Sequence, residues 1–241
     1  NNSLNELKIQ SENSNLELKN AEINIKNSEK ECEKLKQIAD KLTLDADAQL
    51  RKIRMLEELE RNLDGFAYSV KFLMKEVEKN TLSGIHGPVS RLINVPSKFS
   101  VAIEIALGAA IQNVVVDTED SAKKAIFLLK NNGVGRATFL PISNIKGHEL
   151  QEKTLNFCQG FIGIASNLCD CDKVYRNILN FLLGKIVVVD NLDNAVVIAK
   201  KFSYKFKIVT LDGQVINFGG ALTGGSTGKN AGILNRAEQI N

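Results

Sequence analysis

The sequence NVVVDTEDSAKKAIFLLK at residues 113–130 returns in altered form as KIVVVDNLDNAVVIAKKF at residues 185–202. Each copy contains a run of valines, then an aspartate, Asp117 or Asp190, and then a helix-type pattern. A continuous apolar run is typical of a strand that is covered on both faces. An aspartate just before a helix can accept hydrogen bonds from the free amides of its first turn. The repeat therefore predicts two units, each made of a strand, a cap and a helix.

The sequence on either side of each copy extends this repeat. A helical pattern that ends in Leu-Gly precedes each valine run, and a strand-type segment follows each helix. These flanking segments are 99–108 and 136–141 in the first copy, and 174–184 and 207–213 in the second. Each copy thus predicts one α/β lobe.

Further strands are expected near 90–95, 214–218 and 220–223, where they would complete the sheets. We expect a mixed α/β body with lobes at about 80–150 and 151–228, joined through a loop-like region at 141–172.

The first 80 residues carry a different pattern, an apolar seam of period 3.5 that runs from Leu4 to Val77. Seventeen of its twenty-two positions are apolar, and proline is absent. Such a seam is the signature of a coiled coil, so we expect a long outgoing helix over 1–79. Gly65 is the only glycine here, and the large apolar residues after it suggest a helix that docks on the body. All three prolines and sixteen of the seventeen glycines follow residue 80, which places the boundary there.

Composition excludes several functional classes. No apolar stretch is long enough to cross a membrane and no signal-peptide pattern is present, so we expect a cytoplasmic protein without a membrane partner. Cys169 and Cys171 form a C-x-C pair that lacks the spacing of common zinc sites, so no metal site is predicted. His86 and His148 have no partner that the sequence identifies, so no catalytic residue is predicted.

Two further enzymatic interpretations are weighed against simpler ones. Asp117 and Asp190 stand where some α/β enzymes place catalytic carboxylates, but a capping role is favoured because no other reactive side chains accompany them. The segment ALTGGSTGKN at 221–230 resembles a phosphate loop, but Thr223 replaces its first glycine and Asn230 its hydroxyl residue. Nucleotide binding is not expected in this chain.

The segment DGQVINFGGALTGGS at 212–226 carries Gly213, Gly220, Gly224 and Gly225 in a strand-like stretch. Glycine weakens a strand, so several together indicate that another backbone approaches where a side chain would collide. We predict that these four glycines form an interface with a second copy of the chain.

These features together resemble the hinge domain of SMC proteins, the chromosome-organising ATPases of condensin and cohesin type. The resemblance is carried by the arm, by SGIHGPVSRLINVPSKFSVAIEIALGAAIQNVVVDT at 83–118, by GRATFLPI at 135–142 and by TLDGQVINFGGALTGGS at 210–226. The glycine spacing is its most specific part. LNRAEQI at 234–240 looks like the start of a returning helix over 229–241.

The resemblance implies a toroidal hinge, a homodimer of the prokaryotic type, that joins two coiled-coil arms and is not itself an enzyme. It implies that ATP and magnesium bind at distant ATPase heads outside this sequence, that kleisin-type subunits bind there too, and that the protein associates with the nucleoid during chromosome condensation and segregation. Two alternatives remain: a small-molecule-binding α/β domain fused to an oligomerising coil, and a purely structural scaffold.

A weak, sequence-independent contact with DNA is a second expectation. Residues 81–241 carry 17 basic and 12 acidic side chains, a net charge of +5, whereas residues 1–80 carry 14 and 16, a net charge of −2. Lysines cluster around the two repeat helices, where they could neutralise phosphates. The candidate residues are Lys123, Lys124, Lys200, Lys201, Lys205 and Lys207.

Overall fold

The computed structural model describes residues 2–226 and 232–234 and divides after Met55 into two units. Helix α1 (Asn2–Arg61) contains all of the described part of the first unit. Seam residues Leu18, Leu35 and Leu42 of this unit expose 61–64% of their surface. The long helix and its open apolar seam agree with the predicted coiled-coil arm, since such a seam is stabilised by packing against a partner helix.

The helix of the arm ends earlier than predicted. Residues after Arg61 leave the helical conformation, with φ of 51° at Leu63 and 93° at Gly65, and glycine adopts such an angle without strain. Helix α2 (Tyr68–Glu78) follows and buries an apolar face that includes Val70 and Leu73. By its contacts the chain divides after Met55, and α2 packs into the core of the second unit, so this unit includes residues ahead of the predicted boundary near residue 80.

The second unit holds five further helices and ten strands among its described residues. The helices are α3 (Val89–Leu92), α4 (Ser97–Leu107), α5 (Glu119–Asn132), α6 (Arg176–Leu183) and α7 (Leu192–Lys201). The strands are β1 (Ile85–Pro88), β2 (Ile93–Asn94), β3 (Val114–Val116), β4 (Phe139–Pro141), β5 (Phe161–Ile164), β6 (Asp170–Cys171), β7 (Ile186–Val189), β8 (Lys207–Thr210), β9 (Val215–Ile216) and β10 (Leu222–Thr223). No helix in the described ranges is both long and apolar enough to span a membrane.

Two sheets of related topology define two lobes. Lobe 1 has the strand order β1-β3-β4, and lobe 2 has the order β10-β9-β8-β7-β5. In each lobe the valine strand, β3 or β7, is antiparallel to a short strand before it and parallel to the strand that follows the repeat helix. Strands β2 and β6, one from each lobe, form an antiparallel ribbon between the lobes. The predicted mixed α/β body of two repeated lobes is confirmed.

The valine strands are covered on both faces, as predicted, and the core consists of three clusters of buried residues. Val115 and Val188 face a central core that both lobes share with α4 and α6. The neighbouring valines face outward, against α2 and α5 in lobe 1 and against α7 in lobe 2; they are Val114, Val116, Val187 and Val189. All six valines are at most 1% exposed.

Three strands escaped the sequence analysis. Strand β1 starts at Ile85, ahead of the strand predicted at 90–95, which is present only as the two-residue β2. The region at 141–172 predicted as a loop contains β5 and β6. Strands β1 and β5 are bulged and follow a glycine of positive φ, Gly84 or Gly160, so they lack the regular alternation that reveals a strand.

The strands predicted at 214–218 and 220–223 are β9 and β10. Most of the returning helix predicted over 229–241 lies outside the described residues. Of the three described residues in that range, Leu234 is buried in the shared core.

Candidate functional site

One sheet edge in each lobe is a candidate for pairing with another chain. In lobe 2, β8 pairs with β7 on one side and with β9 on the other, where Ile208 lies opposite Ile216. In lobe 1, Phe139 of β4 holds the place that Ile208 holds in β8, since each pairs with the first of three equivalent valines. Within the described residues no strand covers this side of β4. An edge with unpaired amides and carbonyls is a template for another strand.

The second candidate edge is β10, at the end of the lobe 2 sheet. The glycine-rich segment builds this strand. The amide of Gly213 closes a turn by donating to the Thr210 carbonyl (3.0 Å), with a φ of 89°. Gly219 and Gly220, with φ of 81° and 98°, form the tight turn between β9 and β10. A Cβ on Gly220 would lie 3.3 Å from the Tyr204 ring. Gly213 and Gly220 are thus explained by turns within one chain.

Gly224 and Gly225 extend beyond the last ladder residue of β10. A Cβ on Gly224 would lie 2.1 Å from Oε1 of Gln214, so this glycine also has an intramolecular cause. Gly225 has a φ of 140° and open space where its Cβ would lie. The approach of a second backbone was the predicted reason for these glycines, and it is not needed for the first three. Residues 221–226 are exposed, so their role at an interface stays a prediction.

Exposed apolar side chains accompany both open edges. Phe218 and Leu222 beside β10 are 77% and 62% exposed. In lobe 1, α5 packs beside β4 and leaves Ile126 and Phe127 largely exposed. A cavity of about 290 Å³ lies between α5 and the chain leading into β4, and it is lined by Ile126, Leu129, Lys130, Gly135, Arg136 and Ala137. Burial of these apolar groups would favour association of the two edges.

The lysines predicted to contact DNA lie in different environments. Lys123 pairs with Asp120 (3.2 Å), and Lys201 lies 3.4 Å from the Cys158 sulfur. Lys207 is half-buried: its Nζ donates to the Ala106 carbonyl at the end of α4 (3.0 Å), and burial lowers its pKa. Lys207 therefore serves contacts within the body. Of the six candidates, Lys124, Lys200 and Lys205 are exposed and form no ion pair with any described residue.

The capping residues differ by one position from those predicted. Thr118 caps α5 by accepting from the Ser121 amide (3.3 Å), and Asn191 caps α7 by accepting from the Asn194 amide (2.9 Å). Asp190 instead accepts from the Asn191 amide (2.7 Å). The assignment of Asp117 and Asp190 as the caps is wrong, because each aspartate still lies at the strand end, where its side chain points to other partners.

Asp117 belongs to a hydrogen-bonded group that the sequence did not reveal. Nε2 of His86 lies 2.7 Å from its carboxylate, and Nδ1 of His86 lies 3.0 Å from the Tyr175 hydroxyl. This His86 network, formed by His86, Asp117 and Tyr175, links lobe 1 to lobe 2. Burial, together with the charges of Asp172 and Asp117, raises the pKa of Tyr175, so its hydroxyl stays protonated and serves as a hydrogen-bonding group. The statement that His86 lacks a partner is corrected.

Cys169 and Cys171 are held in the protonated thiol form. Burial raises the pKa of Cys169 to about 12, and burial also raises the pKa of Cys171. A thiol held in its protonated form is a poor metal ligand and a poor nucleophile. Among the described residues no group of three or more His, Cys, Asp or Glu side chains is placed to hold a metal ion.

Comparison with known proteins identifies the family. Residues 82–199 match the model described as the SMC proteins Flexible Hinge Domain. The crystal structure of an asymmetric dimer of the Geobacillus stearothermophilus SMC hinge domain is 40% identical, with a TM-score of 0.72 over 80% of this chain and 78% of that one. The Pyrococcus furiosus SMC protein hinge domain is 30% identical, with a TM-score of 0.56 over 74% of this chain and 89% of that one. The chain therefore belongs to the SMC hinge family.

Full-length relatives carry the same domain. The chromosome partition protein Smc of Bacillus subtilis (strain 168) is 42% identical over 190 residues, which are 77% of this chain and 16% of that protein. The Smc protein of Clostridium kluyveri is 40% identical over 78% of this chain and again 16% of that protein. The chain thus spans about a sixth of the length of these bacterial relatives. The predicted family and fold are confirmed, and the small-molecule-binding alternative is set aside.

Proposed function

We propose that this chain is the dimerisation hinge of a chromosome partition protein and that two copies pair through β10 and β4. The observation that carries the proposal is that β10 and β4, each at the end of its sheet, have no strand on their outer side among the described residues, whereas the other two edge strands, β5 and β1, are bulged. A two-fold operator can place β10 of each copy on β4 of the other and so satisfy both edges at once. The Geobacillus relative, which is described as a dimer, supports self-association of this domain.

The side chains beside the edges support the same arrangement. Leu222 lies on β10 itself, and Ile126 and Phe127 flank the β4 edge on α5. Full burial of one such side chain contributes about 1.5–3 kcal/mol. The two symmetric contacts would each bury several of them, so the closed ring gains from both contacts together.

The substitution Leu222→Lys tests the proposal, because a lysine on an edge strand opposes strand pairing. We expect the wild-type chain to sediment as a dimer and the variant as a monomer that keeps the circular dichroism spectrum of the wild type. Val197→Lys on α7 is the matched control, since Val197 is 64% exposed and Leu222 62%, and this control should remain a dimer. A Leu222→Lys variant that dimerises as tightly as wild type would refute the pairing.

The glycines give a second test of the same edge. Replacement of Gly224 and Gly225 by bulkier residues should also yield monomers, which light scattering would detect as a halved mass. Gly225 has a positive φ, so part of its effect would arise from backbone strain, and Leu222→Lys is the cleaner variant.

For the whole protein we propose the role carried by the names of its relatives, chromosome partition. In this proposal the hinge joins two coiled-coil arms whose distant heads bind ATP and magnesium, hydrolyse ATP and engage a kleisin-type subunit at the nucleoid. None of these head activities is assigned to the present 241 residues. Chromosome partition scored in cells that carry the full-length protein with or without Leu222→Lys would show whether this role depends on the hinge contact.

We also propose a weak contact between the body and DNA. Its support is the net charge of +5 over residues 81–241, from 17 basic and 12 acidic side chains, and the exposure of Lys124, Lys200 and Lys205. The double variant Lys200→Ala with Lys205→Ala should weaken DNA binding at low salt and flatten its salt dependence, as measured by fluorescence anisotropy. The arm variant Lys26→Ala with Lys30→Ala is the control. Equal binding by both double variants and wild type would exclude a contact at these lysines.

A further inference from the structure

We infer that Gln214 is a positioning residue for the β10 edge, because its side-chain amide holds Gly224 and Gly225 in line with the strand. Oε1 of Gln214 accepts from the Gly225 amide (2.9 Å), and Nε2 donates to the Gly225 carbonyl (3.2 Å). This reciprocal pair reproduces, with a side chain, the two bonds that facing residues of antiparallel strands exchange. The inference rests on the proposed function, since it concerns the edge through which two copies pair.

The main chain of β9 cannot supply these bonds itself. The β9–β10 ladder has only two residue pairs, Leu222 with Ile216 and Thr223 with Val215. At the next position the main chain of Gln214 already faces β8: its carbonyl accepts from the Thr210 amide (2.9 Å) and its amide donates to the Thr210 hydroxyl (2.8 Å). The ladder would therefore stop at Thr223, and the Gln214 side chain extends it by two residues.

The same contact explains why residue 224 is a glycine. Oε1 of Gln214 occupies the space in which a Cβ on Gly224 would lie, at a separation of 2.1 Å. An alanine there must displace the amide and so lose the bonds to Gly225. The Gln214 amide can therefore hold Gly225 in this way only if residue 224 has no Cβ.

Asp212 orients the amide. Its Oδ2 accepts from Nε2 of Gln214 (3.4 Å), which points the NH₂ group toward the Gly225 carbonyl and leaves Oε1 for the Gly225 amide. A glutamate at position 214 could not donate to that carbonyl, and its charge would be repelled by Asp212. Leucine would fill similar space without any hydrogen bond. These two changes separate the role of the amide from the role of its volume.

The first measurement is made in the monomeric Leu222→Lys background, so that its result does not depend on dimerisation. Gln214→Leu should raise the hydrogen-exchange rate of the Gly225 amide about tenfold, the value expected for the loss of a hydrogen bond of ordinary strength. Gln214→Glu should raise it less, because its carboxylate can still accept from that amide and only the bond to the Gly225 carbonyl is lost. Gln151→Glu, the same chemical change at an exposed site outside the edge, should leave that rate unchanged. An unchanged Gly225 rate in both Gln214 variants overturns the inference, whatever the oligomeric state of wild type.

The second measurement is the dimer dissociation constant in the otherwise wild-type chain. Gln214→Glu should weaken the dimer about tenfold or more while the circular dichroism spectrum of the body stays the same. Gly224→Ala should weaken it comparably, but in a Gln214→Ala background it should have little further effect, because the displaced amide is already gone. Fully additive effects of the two changes would overturn the coupling of glutamine and glycine. A wild-type monomer would instead refute the proposed function, and the exchange measurement would still decide the inference.

Discussion

The two lobes share one plan and differ at its end. Strands β1, β3 and β4 of lobe 1 have the same order and directions as β5, β7 and β8 of lobe 2. Lobe 2 then continues into β9 and β10, which cover the outer side of β8 with the same chain. Lobe 1 leaves that side of β4 open among the described residues. The difference teaches that the two strands that lobe 1 lacks leave β4 with an open side, which is the side that we propose for pairing with a second copy.

A second difference lies in the bulged strands. The carbonyls of Gly84 and Gly160 each accept a hydrogen bond from the amide of the aspartate at the end of the valine strand. In each lobe two residues separate this glycine from a second one. Between the two glycines, His86 of lobe 1 corresponds to Ile162 of lobe 2. Asp117 bonds His86, which in turn bonds Tyr175 of the other lobe, whereas Asp190 bonds its own neighbours Asn191 and Asn194. The aspartate after the valine strand thus takes part in a contact between the lobes in lobe 1 and only in local contacts in lobe 2.

The largest effect is expected where the lobes are most alike. Ile103 and Leu179 each lie four residues before the Leu-Gly pair that ends their helix, both are at most 1% exposed, and both pack in the shared core. Ile103→Ala and Leu179→Ala should each lower the free energy of unfolding by about 2–5 kcal/mol, as large-to-small changes in a core do. Urea unfolding, followed by circular dichroism and by aromatic absorbance, measures both.

The control for this pair is Val197→Ala, at an exposed position, which should change stability by less than about 0.5 kcal/mol. Because one core serves both lobes, each variant should unfold in a single transition of the body. Two separate transitions, with each variant affecting only one of them, would show that the lobes are independent and that the shared core does not couple them.

The sequence was sufficient for the features that depend on local pattern. The valine runs predicted β3 and β7 with both faces covered, and the alternating seam predicted the long helix before the body. Features that depend on side chains distant in the chain were missed. His86 and Tyr175 are 89 residues apart, and the carbonyl that receives Lys207 is 101 residues away, so no local pattern marks either contact.

The sequence analysis placed the candidate edge at the glycine-rich segment, but the reason it gave for the glycines does not apply to most of them. The glycine-rich segment does build an exposed edge, yet positive φ angles and the Gln214 side chain account for most of its glycines. A signal for the missed strands was present in the sequence, because GIHG at 84–87 and GFIG at 160–163 repeat the same glycine spacing before the two copies. Four residues with two glycines do not show the alternation by which strands are recognised.

An intermediate effect is expected from the His86 network, where lobe 1 can be given the side chain of lobe 2. His86→Ile removes both hydrogen bonds of the imidazole and should lower the free energy of unfolding by about 1–2 kcal/mol. Tyr175→Phe should cost less, since only one bond is lost, and the double variant should cost little more than His86→Ile alone. Thermal unfolding of the four proteins gives this cycle. His148→Ile, at an exposed histidine, is the control, and an equal loss there would assign the effect to general surface chemistry.

The smallest effect separates two caps that hold equivalent places. Asn191 accepts from its helix amide at 2.9 Å and Thr118 at 3.3 Å, and asparagine is the better capping residue of the two. Asn191→Ala should therefore lower the free energy of unfolding by about 1–2 kcal/mol and Thr118→Ala by about 0.5–1 kcal/mol. Denaturant titration resolves the difference if the slopes agree. Asp190→Ala completes the test: were it to destabilise the body more than Asn191→Ala, the aspartate that ends the strand would be the true cap, and lobe 2 would owe its helix start to the residue that the sequence first suggested.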